Sequence, residues 1–375
     1  MATLAQPPLV GITVLDFAQY LSGPAAAMRL SDLGARVIKV EPPRGDNCRR
    51  LAFRGLRIGG ASALFQTVNR GKDSVTADLK DPDDLAAVKE LIATADVLIQ
   101  NSRPGVMERL GLGYDVVAQL NPRIVYASVS GFGPAEDWKD RPGQDLLAQS
   151  TVGVPWLNGS TDQPPIAVGT SIADLFAASH LVEGVLACLV RRGVTGRGGR
   201  VDVSLLESLL DLVFESFTTY LNTGTAPVRG PRDSAHADIA APYGIYRTAD
   251  GHLALSMIPI PHLGELIDLP ALARYEGPDD AFTHRSEIVP LIADHLRTRT
   301  TDHWLAILRA ADAWCAKVLT WPELIAENAF RQGEFIQTIQ FDDGTTMRTT
   351  RCPIRIDGTV ITSDRAAPTT GPRIA

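Results

Sequence analysis

The chain has 375 residues, 45% of them hydrophobic, enough to bury a large core and to form two domains. A net charge of -7 argues against bulk nucleic-acid binding but leaves room for a local basic pocket around a small polyanion. Four widely spaced cysteines (Cys48, Cys188, Cys315, Cys352) form no CxxC pair, and the seven histidines lack metal-ligand spacing, so reduced thiols and no metal are expected.

In chain order, "GITVLDF" reads as a buried strand and "GPAAAMRLSDLGA" as a helix opened by Pro24 and closed by Gly34. "RVIKVE" is a second strand. "DPDDLAAVKELIATA" is a helix with acidic residues in its first turn, and "DVLIQN" and "NPRIVYASVSG" are further strands. The alternation predicts a doubly wound α/β domain with a parallel sheet. A nicotinamide enzyme would need G-x-G-x-x-G after the first strand, and "AQYLSGPAAAM" lacks it; P-loop, G-x-S-x-G and H-E-x-x-H motifs are also missing.

Next, "PPIAVGTSIADLFAASHLVEGVLACLVRR" sets Asp174 between an extended apolar run and an apolar helix expected over 175–192. Asp174 there is either the helix N-cap or a poorly hydrated carboxylate poised as a nucleophile, and one residue can be both. His180 and Glu183 interrupt the apolar run, so no membrane span is expected. The N-terminus shows no charged region leading into an apolar one, which makes a cytoplasmic location the expectation.

Beyond Arg200, "VDVSLLESLLDLVFESFTTYL" reads as one long helix, a linker over 201–225. A Pro/Gly-rich connection precedes a hairpin turning at Asp250-Gly251, then helices over about 284–298 and 301–311. These make a smaller α+β domain at 226–325. A second hairpin around Asp343-Gly344 opens a return, 326–375, to the large domain begun by 1–200. Arg70, Lys72, Lys80, Arg103, Arg109, Lys139 and Arg141 lie in loops at strand ends and together could surround phosphates; any one of them alone reads as a solvated charge.

The ordered set "VLDFAQYLSGPAAAMRLSDLGARVIKVEPPRGD", "ADLKDPDD", "NSRPGVMERLGLGYD", "RPGQDLLAQ", "VGTSIADL", "TGRGGRVDVSLLES" and "YGIYRTADGHLAL" resembles the class III CoA-transferases, the formyl-CoA transferase and carnitine CoA-transferase family. The resemblance spans nearly the whole chain. It implies a Rossmann-like large domain, an inserted smaller domain, and two subunits threaded into an interlocked homodimer. It makes Asp174 the nucleophile that carries CoA as an aspartyl thioester, kept ionised by the helix N-terminus. The substrates would be an acyl-CoA and a carboxylic acid acceptor, with no metal or redox cofactor.

The same resemblance implies CoA contacts at Leu21, Ser22, Ala77, Asp78, Leu79, Lys80, Asn101, Ser102, Arg103, Arg109, Arg141, Gln144 and Asp145. Pro42 and Pro43 stand where relatives often carry a basic residue, which leaves Arg44 as a candidate for the nucleotide phosphates. No glycine run like that of formyl-CoA transferase is found, so formyl transfer is not supported. Acyl-CoA racemases of this fold pair the aspartate with a histidine where Gln144 stands, and an amide cannot shuttle an α-proton. A non-catalytic acyl-CoA binding protein, with Asp174 only a cap, is the other alternative.

Overall fold

A computed structural model describes residues 7–375. The chain divides into two compact units: one holds the chain as far as Ala148, Ser171–Leu212 and Arg331–Ala375, the other Gln149–Thr170 and Val213–Phe330.

The first unit is built on six strands: β1 (Thr13–Asp16), β2 (Arg36–Glu41), β3 (Asp73–Thr76), β4 (Val97–Gln100), β5 (Val125–Ser130) and β6 (Gly199–Ser204). All neighbours pair in parallel, in the order β3-β2-β1-β4-β5-β6. The order reverses between β1 and β4, and the crevice beyond their carboxyl ends is where open α/β sheets hold ligands. Val14, Leu15, Val97, Leu98 and Ile99 are buried, as central parallel strands covered on both faces require.

Helices α1 (Ser22–Asp32), α2 (Ala63–Asn69), α3 (Pro82–Thr94), α4 (Val106–Arg109) and α5 (Tyr114–Leu120) follow in turn. Asp81 caps α3 by accepting the N–H groups of Asp83 and Asp84, with Pro82 at the first helical position. Further on come α6 (Asp145–Val152), α7 (Ile172–Thr195) and α8 (Leu205–Leu212). The chain end lies along β3: the Thr76 N–H reaches the Pro372 carbonyl at 2.8 Å, and the Ile374 N–H reaches the Thr76 carbonyl at 2.9 Å. Arg373 locks this tail to Asp81 and Asp84, so the sheet edge is covered.

Three expectations change here. The segment read as one helix over 201–225 is strand β6, then α8, then α9 (Phe214–Thr223). Gly199 and the alternating "VDV" favour a strand pairing with β5, which the helical pattern of "SLLESLLDL" had masked. Strand β3, which the sequence reading does not anticipate, begins at Asp73, directly after Lys72 in its strand-end loop. Finally, α7 is 24 residues long and, by length and composition alone, apolar enough to cross a membrane despite His180 and Glu183; in this unit it packs on α1, α8 and the sheet.

The second unit carries an antiparallel sheet of β7 (Gly244–Arg247), β8 (His252–Leu255) and β9 (Cys315–Lys317). Helices Arg285–Leu296 and Thr301–Ala310 close its core around Tyr246, Leu253, Ile292, Trp304 and Leu308. The hairpin at Asp343-Gly344, β10 (Ile336–Gln340) with β11 (Thr346–Thr350), belongs to the first unit.

Candidate active site

The loop from β1 to α1 is tied down at each successive residue. The Phe17 N–H donates to the Ile99 carbonyl and the Ala18 N–H to Asp16 Oδ1. Asn101 grips Gln19 twice, accepting its N–H at 2.9 Å and donating to its carbonyl at 2.7 Å. The Tyr20 N–H reaches Asp46 Oδ1 at 3.3 Å, and Tyr20 is left-handed at φ 64°, an uncommon state for a residue with a side chain. Leu21 then takes the N-cap position and Ser22, buried, opens α1. A Cβ on Gly23 would stand 2.3 Å from the Ala18 Cβ, so this close turn requires glycine.

Ser22 points its hydroxyl at Asp174 and donates a hydrogen bond to that carboxylate. Asp174 is not the N-cap expected from the sequence. The helix begins earlier, with Ser171 in the cap position and Asp174 as its third residue. The capping work falls to Asp145, whose Oδ1 accepts the Ala173 N–H at 2.7 Å and the Asp174 N–H at 3.4 Å. Asp145 reaches that position because the loop before α6 crosses the end of β5 with backbone against backbone. A Cβ on Gly143 would come within 2.6 Å of the Gly131 Cα.

Burial, then the neighbouring Asp145 charge, push the Asp174 carboxyl up to about 6, with the Ser22 hydroxyl opposing them. Desolvation and a like charge thus leave Asp174 less readily ionised than an ordinary aspartate. The result is a carboxylate that is weakly stabilised and hydrogen-bonded on one side, with no ion-pair partner among the described residues, a state suited to nucleophilic attack.

The family model described as CoA-transferase family III matches residues 9–373. The chain belongs to CoA-transferase family III. Among the relatives of this family III CoA-transferase is the acetyl-CoA:oxalate CoA-transferase of Acetobacter aceti, 34% identical over 323 residues, covering 82% of this chain and 80% of that protein. The succinate–glutarate CoA-transferase of Agrobacterium fabrum is 30% identical over 378 residues, covering 98% and 94%. A crystal structure of a CAIB/BAIF family protein from Brucella suis superposes with a TM-score of 0.83 at 28% identity, covering 97% of this chain and 96% of that one.

The expected CoA contacts of this family III CoA-transferase separate into two groups. Arg70 and Lys72 cannot meet a phosphate: Arg70 is buried against Asp32 at 2.8 Å, and Lys72 against Asp16 at 2.8 Å. Ala77 is buried and Leu79 packs on the core, so these two can offer only backbone. Asp78 organises its own turn, its side chain accepting the Lys80 N–H. Asn101 spends its side chain on Gln19, and Gln144 caps α6 by accepting the Leu146 N–H. Asp145 is the cap of α7.

By contrast, Arg44, Lys80, Arg103, Arg109 and Arg141 are exposed, Arg141 lying over the Trp138 ring. Lys139 is paired with Glu136. Beyond the ends of β4, β5 and β6 lies a cleft of about 290 Å³ walled by Ser102, Arg103, Lys139, Arg200 and the rings of Tyr114 and Tyr126. Neither Ser22 nor Asp174 lines it. Missed at the sequence level were the Ser22–Asp174 contact and the buried charges Asp16, Lys39 and Asp46. Their signal was present: a charge inside the otherwise apolar "VLDF" and "VIKVE" needs a buried partner.

Proposed function

We propose that this family III CoA-transferase moves CoA from an acyl-CoA thioester to a free carboxylic acid, with Asp174 as covalent nucleophile. The observation that carries the reading is the Asp174 carboxylate itself, partly desolvated, raised to about 6 and hydrogen-bonded by Ser22. An Asp174 oxygen attacks the thioester carbonyl carbon, the C–S bond breaks, and CoA thiolate leaves a mixed anhydride. The thiolate attacks the aspartyl carbonyl, breaking its C–O bond and releasing the donor acid as carboxylate. The aspartyl-CoA thioester then reacts with the acceptor carboxylate in the reverse sequence, regenerating Asp174 and the new acyl-CoA. No net proton is transferred, so the nucleophile needs no general base but must be ionised. Ser22, bonded to the carboxylate in the resting state, is free to follow the charge as it moves to the oxyanion.

The exposed cations Arg44, Lys80, Arg103, Arg109 and Arg141 are the proposed phosphate ligands of CoA. Dicarboxylic acids are the proposed acceptor class, since oxalate, succinate and glutarate appear in the relatives' names. Gln144 favours transfer over racemisation, because its amide is committed to the α6 terminus and cannot return an α-proton. An obligate homodimer is proposed in addition, with apolar side chains such as Val194 of α7, 88% exposed, as surface for it to cover.

The test is exchange of CoA between acyl-CoA donors and a panel of mono- and dicarboxylic acids. During turnover, hydroxylamine should trap a hydroxamate on the peptide containing "TSIADLFAASH". Asp174→Asn should fold, bind CoA and lose exchange by about a thousandfold or more. Near-native exchange in that variant, or a label on Asp145, would refute the mechanism.

A further inference from the structure

Four charged side chains beneath the β1–α1 loop have no part in the chemistry above. Asp16, Lys39, Asp46 and Lys72 are all buried to within 1%. Two carboxylates meet two ammonium groups: Lys72 lies 2.8 Å and Lys39 3.8 Å from Asp16, and Lys39 lies 3.0 Å from Asp46. Burying such a set is costly, and well-packed apolar residues would often serve stability as well. Something other than stability alone accounts for its design.

The remaining hydrogen bonds of the set converge on one stretch of backbone. Asp16 accepts the Ala18 N–H, Lys39 donates to the Ala18 carbonyl at 2.8 Å, Asp46 accepts the Tyr20 N–H, and Lys72 donates to the Pro24 carbonyl at 2.9 Å. Ser22 stands midway between the last two anchors. Asp46 is itself held by the Cys48 N–H on its carboxylate and by its own N–H on Glu41, which Arg49 pairs at 2.6 Å. Tyr20 would leave φ 64° without such a restraint, because the left-handed state costs a side-chain-bearing residue on the order of 1 kcal/mol.

We infer that this buried quartet is a mount for the nucleophile, and that Asp46 is a positioning residue which, by holding Tyr20 left-handed, sets the Ser22 hydroxyl on the Asp174 carboxylate. The inference rests on Asp174 being the working carboxylate, but its readout does not need transfer. Asp174 is faced by Asp145 from α6 and by Ser22 from α1; loss of the Ser22 bond leaves the like charge unopposed.

The experiment is carbon-13 NMR titration of the Asp174 side-chain carboxyl in the intact protein without acyl-CoA, its resonance assigned by its loss in Asp174→Asn. Ser22→Ala should raise the midpoint by about one pH unit, the value of a hydrogen bond to a charged group. Asp46→Ala, which removes the oxygen that accepts the Tyr20 N–H, should raise it comparably, and the double variant no further. An unmoved midpoint in Asp46→Ala, or a double variant showing the sum of both shifts, overturns the inference. Should Asp46→Ala not fold, Tyr20→Gly and Tyr20→Val replace it, since both lack the ring and differ in tolerance of φ above zero. Valine should raise the midpoint and glycine leave it; equal midpoints overturn the inference. A normal titration without a hydroxamate on Asp174 would instead count against the covalent mechanism alone.

Discussion

Lys72 and Arg109 flank the same sheet, one in the turn just before β3 and the other closing helix α4, beyond β4. Lys72 enters the sheet from an amino end and is walled in; its ammonium meets Asp16, Asn69 and the Pro24 carbonyl. Arg109 stands at the carboxyl side and is exposed. Ligands of a doubly wound sheet gather at the carboxyl ends; an exposed cation there can reach solvent and phosphate, while one buried against the end of β1, as Lys72 is, builds the fold. Asp174 lies between these extremes, half-buried and poorly hydrated.

The sharpest way to break this contrast is to remove each cation. Lys72→Met leaves Asp16 with only the more distant Lys39, and should cost about 3–5 kcal/mol of stability, read by urea unfolding. Stability within error of native would mean that Lys72 is not a builder. Arg109→Ala should leave the unfolding midpoint in place and weaken acyl-CoA binding about tenfold or more by calorimetry. Equal affinity would take Arg109 out of the site.

The intermediate position of Asp174 predicts smaller, pH-dependent effects. Its nucleophilic form is the ionised one, so kcat/KM should fall as pH drops through about 6, where a carboxyl at the ordinary 3.8 would hold activity to nearer pH 4. The linked stability change runs in the opposite sense. A folded carboxyl raised from 3.8 to about 6 takes up its proton more readily than the unfolded chain does, so its contribution is full below pH 4 and declines as pH rises through 6. Asp174→Asn, which never ionises, should therefore melt a few degrees above native at pH 8 and level with it below pH 4. Higher stability at low pH only would reverse the assigned sign.

Strands β1, β2, β4 and β5, helix α3 and both hairpins could be read in the sequence, because runs such as "RVIKVE" and "DPDDLAAVKELIATA" carry their own period, cap and turn signals. Asp174 could be singled out as well, since a carboxylate among apolar residues at a helix mouth is a local anomaly. Strand β6 was lost in a helical pattern that continued past it, and the start of α7 was set too late because its cap is supplied 29 residues earlier in the chain, by Asp145. Tertiary structure alone decided which cations are buried, how Asp145 and Ser22 reach Asp174, and that the carboxyl is raised. Period and capping act over a few residues and are written locally. Desolvation and charge–charge coupling depend on groups distant in sequence, as Asp16 and Lys72 or Ser22 and Asp174 are, and exist only once the sheet has brought them together.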